Sequence, residues 1–355
     1  MKITFILPTI GISGGVKAVF EFANYLHIRG HNVSVVYPLI PMGSRGKCYN
    51  FKNLIYEIMV AIKRLTQGNR VEWFNLKANL IRTPTLSEKF IPDADIVVAT
   101  WWETAYYVNT YRNNKGKKFY LVQHYEIWGG PKEEVDKTYK LGLHNIVNST
   151  WLKNILQNKL SAKVESLILH APDLEDFYFE NKNRNSNVIR ILAPYRTQEW
   201  KGAEDGIKAF EIVKRKFTKT QFVMFGPYKG QDVPKYVEFH EKPSNEKLRE
   251  IYNSCDIFVF PSRQEGFGMP PMEAMACRLA CVITNVGAVP EYTIHGETAI
   301  VVPPKQPEKL AQGVLYLLQD DRRRQRIAGA GNDYIKQFNW NKSTDQLEKI
   351  FQKYI

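Results

Sequence analysis

At 355 residues and 41.2 kDa the chain is too long for one ordinary core, and its length favours two domains of roughly 100–200 residues each. Hydrophobic residues at 44% and charged residues at 24% exclude wholesale disorder, while four cysteines without a C-x-x-C pair exclude a disulfide scaffold and argue against a zinc ribbon. The formal charge of +13, of which the first 150 residues carry +8, suits nucleic acid, an anionic membrane face or anionic substrates, but no recognisable nucleic-acid-binding motif accompanies it and no such partner is expected.

The chain opens with an apolar, β-prone run at residues 3–8 and a glycine-containing turn at 11–15. Val16, Val19, Phe20, Ala23 and Leu26 then recur at helical spacing, and Gly30 ends that helix. A second strand follows at 33–37, so the opening is a βαβ unit and predicts a parallel sheet. The first run is too short for a secretory leader, and no apolar run approaches the ~18 residues of a bilayer span. A cytoplasmic protein is expected.

Residues 45–90 are long, basic and amphipathic, and predict helices. Strands are predicted at 95–99, 119–123, 145–147 and 164–169. The polar run 181–187 reads as a linker. After it the alternation restarts, with strands at 188–193, 221–225, 236–240, 256–260 and 280–284. Helices are predicted at 203–217, 244–254, from about 269, and at 307–319, 321–337 and 341–354. The expected division is 1–180 and 181–340.

The richest stretch is Pro261-Ser-Arg-Gln-Glu265-Gly-Phe-Gly-Met-Pro-Pro-Met-Glu273. A strand runs into a glycine-containing loop, then into a helix whose first turn accepts Pro270 and Pro271. Free N–H groups there face the sheet edge where open α/β sheets bind ligands, and form an anion site. Gly266 and Gly268 let backbone approach a phosphate. Carboxylates repel phosphate but accept hydrogen bonds from sugar and ribose hydroxyls, which suits Glu265 and Glu273; acids at a helix start complementing its dipole are the blander alternative. Arg196 and Lys201 lie on a second strand-to-helix loop, where two fixed cations would offset the charge of a diphosphate.

Arg196 with Lys201-Gly202, the block from Glu265 to Glu273, and Gly287-Ala-Val-Pro-Glu291 resemble glycosyltransferase family 4, the retaining nucleotide-sugar transferases of GT-B fold. The likeness is strong over the second half and weaker over the first. It implies two Rossmann-like α/β domains facing a central cleft, with the last helix, 341–355, packed back on the first domain. It implies that Arg196 and Lys201 bind the donor diphosphate, Glu273 the ribose, and Glu265 the transferred sugar. The backbone of Gly266, Phe267, Gly268 and Met269 would face sugar and phosphates, and Glu291 matches a family glutamate although Gly287-Ala288 replaces the usual glycine pair. Gly14 and Gly15 would close on the donor from the first domain.

His124 ends a strand at the ligand edge. In related enzymes a histidine here contacts the transferred sugar and precedes an aspartate; here Gln123-His124-Tyr125-Glu126 lacks the aspartate. Trp101, Trp102, Glu103, Tyr125 and Glu126 are candidate acceptor contacts, with Trp128 near them, because aromatic faces suit sugar rings. Asp93-Ala-Asp95 looks like a metal-binding D-x-D, but it precedes its strand and reads as a turn; no metal site or required cofactor is expected beyond the donor, a UDP-, GDP- or dTDP-sugar. Lys47, Lys52, Lys63, Arg64 and Arg70 interleave with apolar residues in a pattern able to lie on an anionic membrane.

The expected activity is retaining transfer of a hexosyl-type sugar to a saccharide or lipid-linked saccharide in cell-surface glycan synthesis. The alternatives are an epimerase or phosphorylase of the same fold, or a non-catalytic nucleotide-sugar or nucleic-acid binder.

Overall fold

The computed structural model describes residues 1–42, 59, 69–180 and 188–355. The basic residues Lys47, Lys52, Lys63 and Arg64 of the amphipathic segment, and the linker 181–187, lie outside them. The chain forms two compact units, one of Met1–His170 with Trp340–Ile355, the other of Ala171–Asn339.

The first unit holds a seven-stranded parallel sheet of β1 (Lys2–Ile6), β2 (Asn32–Pro38), β3 (Asn79–Thr83), β4 (Ile96–Ala99), β5 (Lys117–Val122), β6 (His144–Val147) and β7 (Val164–Leu167), in the order β3-β2-β1-β4-β5-β6-β7. Helices on both faces explain why central strands are buried on both sides: every residue of β4 is buried. Helix α1 (Gly14–Ile28) is capped by Ser13, whose Oγ accepts from the Val16 N–H at 3.2 Å. It buries the predicted stripe and also Ala18 and Phe22. The extra burial comes from the C-terminal helix (Trp340–Gln352), whose Trp340 meets Phe22 edge-on at 5.1 Å. Arg29 and His31 fix that helix through Glu348, at 2.7 and 2.8 Å.

One expectation is corrected. Residues 45–90 were expected to be helical, but 79–83 form β3, paired in parallel with residues 34–38 of β2. An edge strand packs on one neighbour only, so a five-residue run inside an amphipathic stretch carries little period of its own.

The second unit holds a six-stranded parallel sheet of β8 (Ile189–Pro194), β9 (Thr220–Gly226), β10 (Glu238–Glu241), β11 (Ile257–Phe260), β12 (Ala280–Thr284) and β13 (Ile300–Val302), in the order β10-β9-β8-β11-β12-β13. Helices α2 (Trp102–Thr110), α3 (Lys132–Thr138) and α4 (Thr150–Asn154) belong to the first unit. In the second lie α5 (Ala203–Lys216), α6 (Asn245–Asn253), α7 (Met269–Ala276), α8 (Val289–Tyr292), α9 (Pro307–Leu318) and α10 (Asp321–Ile335); the C-terminal helix is α11. Strand β13 and the single turn α8 were not foreseen. Each sheet reverses its winding direction once, between β1 and β4 and between β8 and β11, and such a switch point opens a crevice at the carboxyl edge. Among the described residues no helix is long and apolar enough to cross a membrane.

Candidate functional site

The switch point of the second sheet gathers the donor residues predicted in the second unit. The loop after β8 carries Arg196 and Lys201, the loop after β11 carries residues 261–268, and the turn after β12 carries Gly287 and Glu291. Lys201 Nζ donates to both oxygens of Glu265, at 2.8 and 2.9 Å, and Ser262 Oγ donates to Glu265 Oε1 at 2.8 Å. Glu265 is only 7% exposed, so this carboxylate is held by a cation and a hydroxyl rather than by water. Arg196 is half-buried, and its Nη1 donates to the Tyr195 carbonyl at 3.2 Å. It has no carboxylate ion pair among the described residues. Burial lowers its pKa, while the fields of Tyr252 and Glu265 act the other way. A cation partly stripped of water and lacking a counter-ion is a ready anion receptor.

Two glycines set the spacing of these loops. Gly202 takes a left-handed φ of 65° and lies against the Pro261 carbonyl. Gly287, at φ 55°, lies under the other side: a Cβ there would come within 2.5 Å of the Glu265 carbonyl oxygen. Sequence reading treated Gly287 as half of a replaced pair; the structure makes it the floor beneath Glu265.

Glu273 stands on the second turn of α7, outside the first turn in which an acid would complement the dipole. Its Oε2 accepts from the fully buried Tyr252 hydroxyl at 3.0 Å. The helix start itself is poorer in donors than expected. Gly268 is the N-cap at φ 88°, and the prolines at 270 and 271 remove two of the four N–H groups that a helix leaves free. Backbone donation at this end therefore falls to Gly268 and Met269 among those four. Phe267 and Gly268 are pinned from behind by Tyr292, whose hydroxyl donates to the Gly268 carbonyl at 3.0 Å. Glu291 is half-buried on α8. Sequence reasoning missed Ser262, Tyr252 and Tyr292; only Ser262, inside the Pro-Ser run, carried any signal.

The carboxyl edge of the first sheet is different in kind. Gly14 and Gly15 are the first residues of α1, not loop residues, and neither has positive φ. Gln123 Nε2 donates to the Gly15 carbonyl at 3.1 Å and ties that helix start to the end of β5. His124 Nδ1 lies 3.0 Å from the Tyr125 carbonyl and 3.3 Å from Trp128 Nε1. Its ring meets Trp128 and Trp151 edge-on, and Trp128 lies 5.0 Å from Trp101. Gly129 and Gly130 lie against the indoles of Trp101 and Trp102, where an added Cβ would come within 2.4 and 2.5 Å of ring carbons. Trp128 remains 51% exposed.

Two candidate acceptor acids turn inward. Glu126 is 2% exposed, and its Oε2 accepts from both the Trp102 N–H at 2.7 Å and the Tyr120 hydroxyl at 3.0 Å. Burial pushes its pKa up to about 8. Its carboxyl therefore serves the start of α2 rather than the surface, which corrects its placement among acceptor contacts. Glu103 is also buried and accepts from Trp101 Nε1 at 3.2 Å. Tyr125 donates to Asp136 at 2.7 Å. At the opposite edge, Asp93 pairs with Lys115 at 2.7 Å and Asp95 accepts from the Lys2 N–H at 2.7 Å, so both carboxylates have structural partners.

Residues 175–333 match the family described as glycosyl transferases group 1. The matched stretch takes in Arg196, Lys201, Glu265, Glu273 and Glu291. The chain is 36% identical over 108 residues to O-antigen chain mannosyltransferase B of Escherichia coli, covering 30% of this chain and 28% of that protein. It is 24% identical over 235 residues to the capsular polysaccharide biosynthesis glycosyltransferase CapM of Staphylococcus aureus, covering 60% and 59%. The first relatives matched are thus spanned over only 27% to 59% of their lengths. Among solved structures, Anabaena Alr3699/HepE in complex with UDP-glucose matches at a TM-score of 0.75 and 15% identity, over 99% of this chain and all of that one. The fold is that of the GT-B glycosyltransferases, with two parallel-sheet Rossmann-like domains.

Proposed function

We propose that this protein is a retaining hexosyltransferase that takes its sugar from a UDP-, GDP- or dTDP-sugar and delivers it to a saccharide or lipid-linked saccharide in cell-surface glycan synthesis. One observation carries the reading: a half-buried guanidinium without a carboxylate ion pair among the described residues stands beside a lysine–glutamate pair at the switch point of a parallel sheet. The E. coli and S. aureus relatives, named for O-antigen chain and capsular polysaccharide synthesis, support the glycan context.

In this reading Arg196 and Lys201 hold the diphosphate and stabilise the charge that grows on it as the C1–O bond breaks. Glu265 exchanges part of its contact with Lys201 for hydroxyls of the transferred sugar. Glu273, fixed by Tyr252, takes the ribose hydroxyls. Glu265 faces Lys201 with both oxygens, an arrangement suited to orientation rather than covalent attack. The acceptor oxygen then bonds to C1 on the face the phosphate leaves, and its proton passes to the departing phosphate oxygen. His124 is the catalytic candidate of the first unit, and the aromatic group around Trp101 and Trp128 receives the acceptor there. No step draws on a metal ion. The basic segment at 47–70 is assigned to peripheral contact with an anionic cytoplasmic membrane face.

The test is thermal unfolding with UDP, GDP, ADP, CDP and dTDP, with and without EDTA, repeated on Arg196→Ala. At ~100 times its dissociation constant one nucleotide adds about 2.7 kcal/mol, a shift of a few degrees. The expected shift is insensitive to EDTA and disappears in the variant. No shift with any nucleotide sinks the transferase reading.

A further inference from the structure

We propose that Arg263 and Asp205 are positioning residues, forming a clamp that sets the separation of Lys201 from Glu265 and so fixes the sugar against the diphosphate. This rests on the transferase reading above. Neither residue belongs to the donor set read from the sequence.

The geometry is specific. Arg263 Nε donates to Asp205 Oδ2 and Arg263 Nη2 to Asp205 Oδ1, both at 2.7 Å, a two-pronged pair. Asp205 is 3% exposed and sits in the first turn of α5, four residues after Lys201. Arg263 sits two residues before Glu265. The pair therefore joins the two loops whose ends meet in the Lys201–Glu265 contact. The same two loops are laced through the backbone: the N–H groups of Arg263 and Gln264 both donate to the Trp200 carbonyl, at 2.8 and 3.2 Å. Gly202 lies against the Pro261 carbonyl, and a Cβ on Gly206 would come within 3.2 Å of the Pro261 ring.

The chemistry favours a fork over any other link. A guanidinium bound through two N–H groups fixes both distance and plane, whereas an ammonium fixes distance alone. The backbone hydrogen bonds converge on one carbonyl, and Arg263 Nη1 donates to Glu199 at 3.2 Å. The fork to Asp205 adds the buried link that fixes distance and plane together. Glu265 and Lys201 address different parts of one donor, so a small error in their separation misplaces C1 against the leaving oxygen, and misplacement by ~1 Å costs on the order of 100-fold in rate. A nucleoside diphosphate without its sugar engages Arg196 and Lys201 but makes no demand on Glu265. The clamp therefore governs turnover of the nucleotide sugar far more than binding of the nucleotide.

The experiment compares Arg263→Ala, Arg263→Lys and Asp205→Asn with the wild type, on full-length protein below each variant's unfolding midpoint. It reads kcat, donor KM and the dissociation constant of whichever of UDP, GDP and dTDP shifts the wild type. Arg263→Ala leaves a buried carboxylate without its partner and can fail to fold; the other two variants keep a partner for each side chain. Expected is a loss of kcat of roughly 10- to 100-fold for Arg263→Ala. Arg263→Lys should recover part of it, and nucleotide binding should stay within about two-fold throughout. Arg263→Ala with Asp205→Asn should cost little more than the worse single change, as befits one coupled unit. Wild-type kcat in both Arg263→Lys and Asp205→Asn overturns the clamp, as does a fall in nucleotide binding that tracks kcat. If the wild type binds no nucleotide, the transferase reading fails and the clamp falls with it; if Arg196→Ala abolishes binding while the clamp variants turn over normally, only the clamp fails.

Discussion

The carboxyl edges of the two sheets are built alike and furnished differently. Both lie at a switch point, and both receive their residues from the loops after successive parallel strands. On the second sheet those loops carry fixed charge: Lys201 on Glu265, Arg263 on Asp205, and Arg196 with no carboxylate ion pair among the described residues. On the first sheet the loops after β4 and β5 carry rings, while Glu103 and Glu126 turn inward. Ile12, Ile127 and Trp128 stay exposed there. The contrast fits the two substrates of the proposed reaction, which differ in chemistry. A diphosphate is held by cations whose positions are set before it arrives, while a saccharide is held by flat apolar area with few charges.

The largest effect is expected where the second edge loses its fixed charge. Lys201→Ala and Glu265→Ala should each lower turnover by at least ~100-fold while the protein stays folded, the scale of one lost electrostatic contact in a transition state. Because the two residues share a 2.8 Å contact, the double variant should lose much less than the product of the single losses. Steady-state rates beside an unfolding curve check both points. Near-normal turnover in either single variant removes that residue from the donor site, and strict multiplicativity denies that the pair acts as a unit.

The same contrast decides what could be read from the amino acids. The alternation of apolar runs and helical stripes located most strands of both sheets, because parallel strands buried on both faces are continuous apolar runs. Glu265 and Glu273 were visible because one loop and one helix carry both within nine residues. What holds them was not visible. Tyr252 reaches Glu273 across 21 residues, Lys201 reaches Glu265 across 64, and Gly287 supports Glu265 from the loop after another strand. Such contacts are set by strand order, and no local period encodes them. At the first edge the local signal misled: Glu126 and Trp128 are neighbours in one irregular loop, yet one is 2% exposed and the other 51%.

Glu126 offers the next test, of the claim that the acids of the first edge are structural. Its folded-state pKa of about 8 lies above the ordinary carboxyl value of 4.5 because of burial. The folded protein therefore holds a proton that the unfolded chain releases across that window. The stabilisation is complete below about pH 4.5 and is lost as pH rises through 8, at about 1.4 kcal/mol per unit of difference between the two states. Both of its hydrogen bonds end on Oε2, so an amide oxygen can accept them unchanged. Glu126→Gln should fold, keep its activity, and lose this part of the decline in unfolding midpoint between pH 5 and 8. A decline as steep as that of the wild type would mean that another group sets the slope.

The smallest expected effect is the sharpest test of the aromatic edge. Trp128 is half exposed, yet its ring is placed by two neighbours: Trp101 at 5.0 Å, and His124, which meets it edge-on and lies 3.3 Å from its Nε1. An exposed indole contributes little to stability, so Trp128→Ala should move the unfolding free energy by only about 0.5 kcal/mol. A sugar ring stacked on it would lose an aromatic contact worth roughly 0.5–1.5 kcal/mol beyond area burial, or about 2- to 12-fold in acceptor affinity. The loss should appear in KM for the acceptor and leave donor KM and kcat at saturating acceptor unchanged. Because the indole is its own reporter, acceptor alone should quench the tryptophan fluorescence of the wild type and do so less in Trp128→Ala. If instead donor KM rises, Trp128 serves the charged edge after all; if nothing moves, the acceptor lies elsewhere on the first unit.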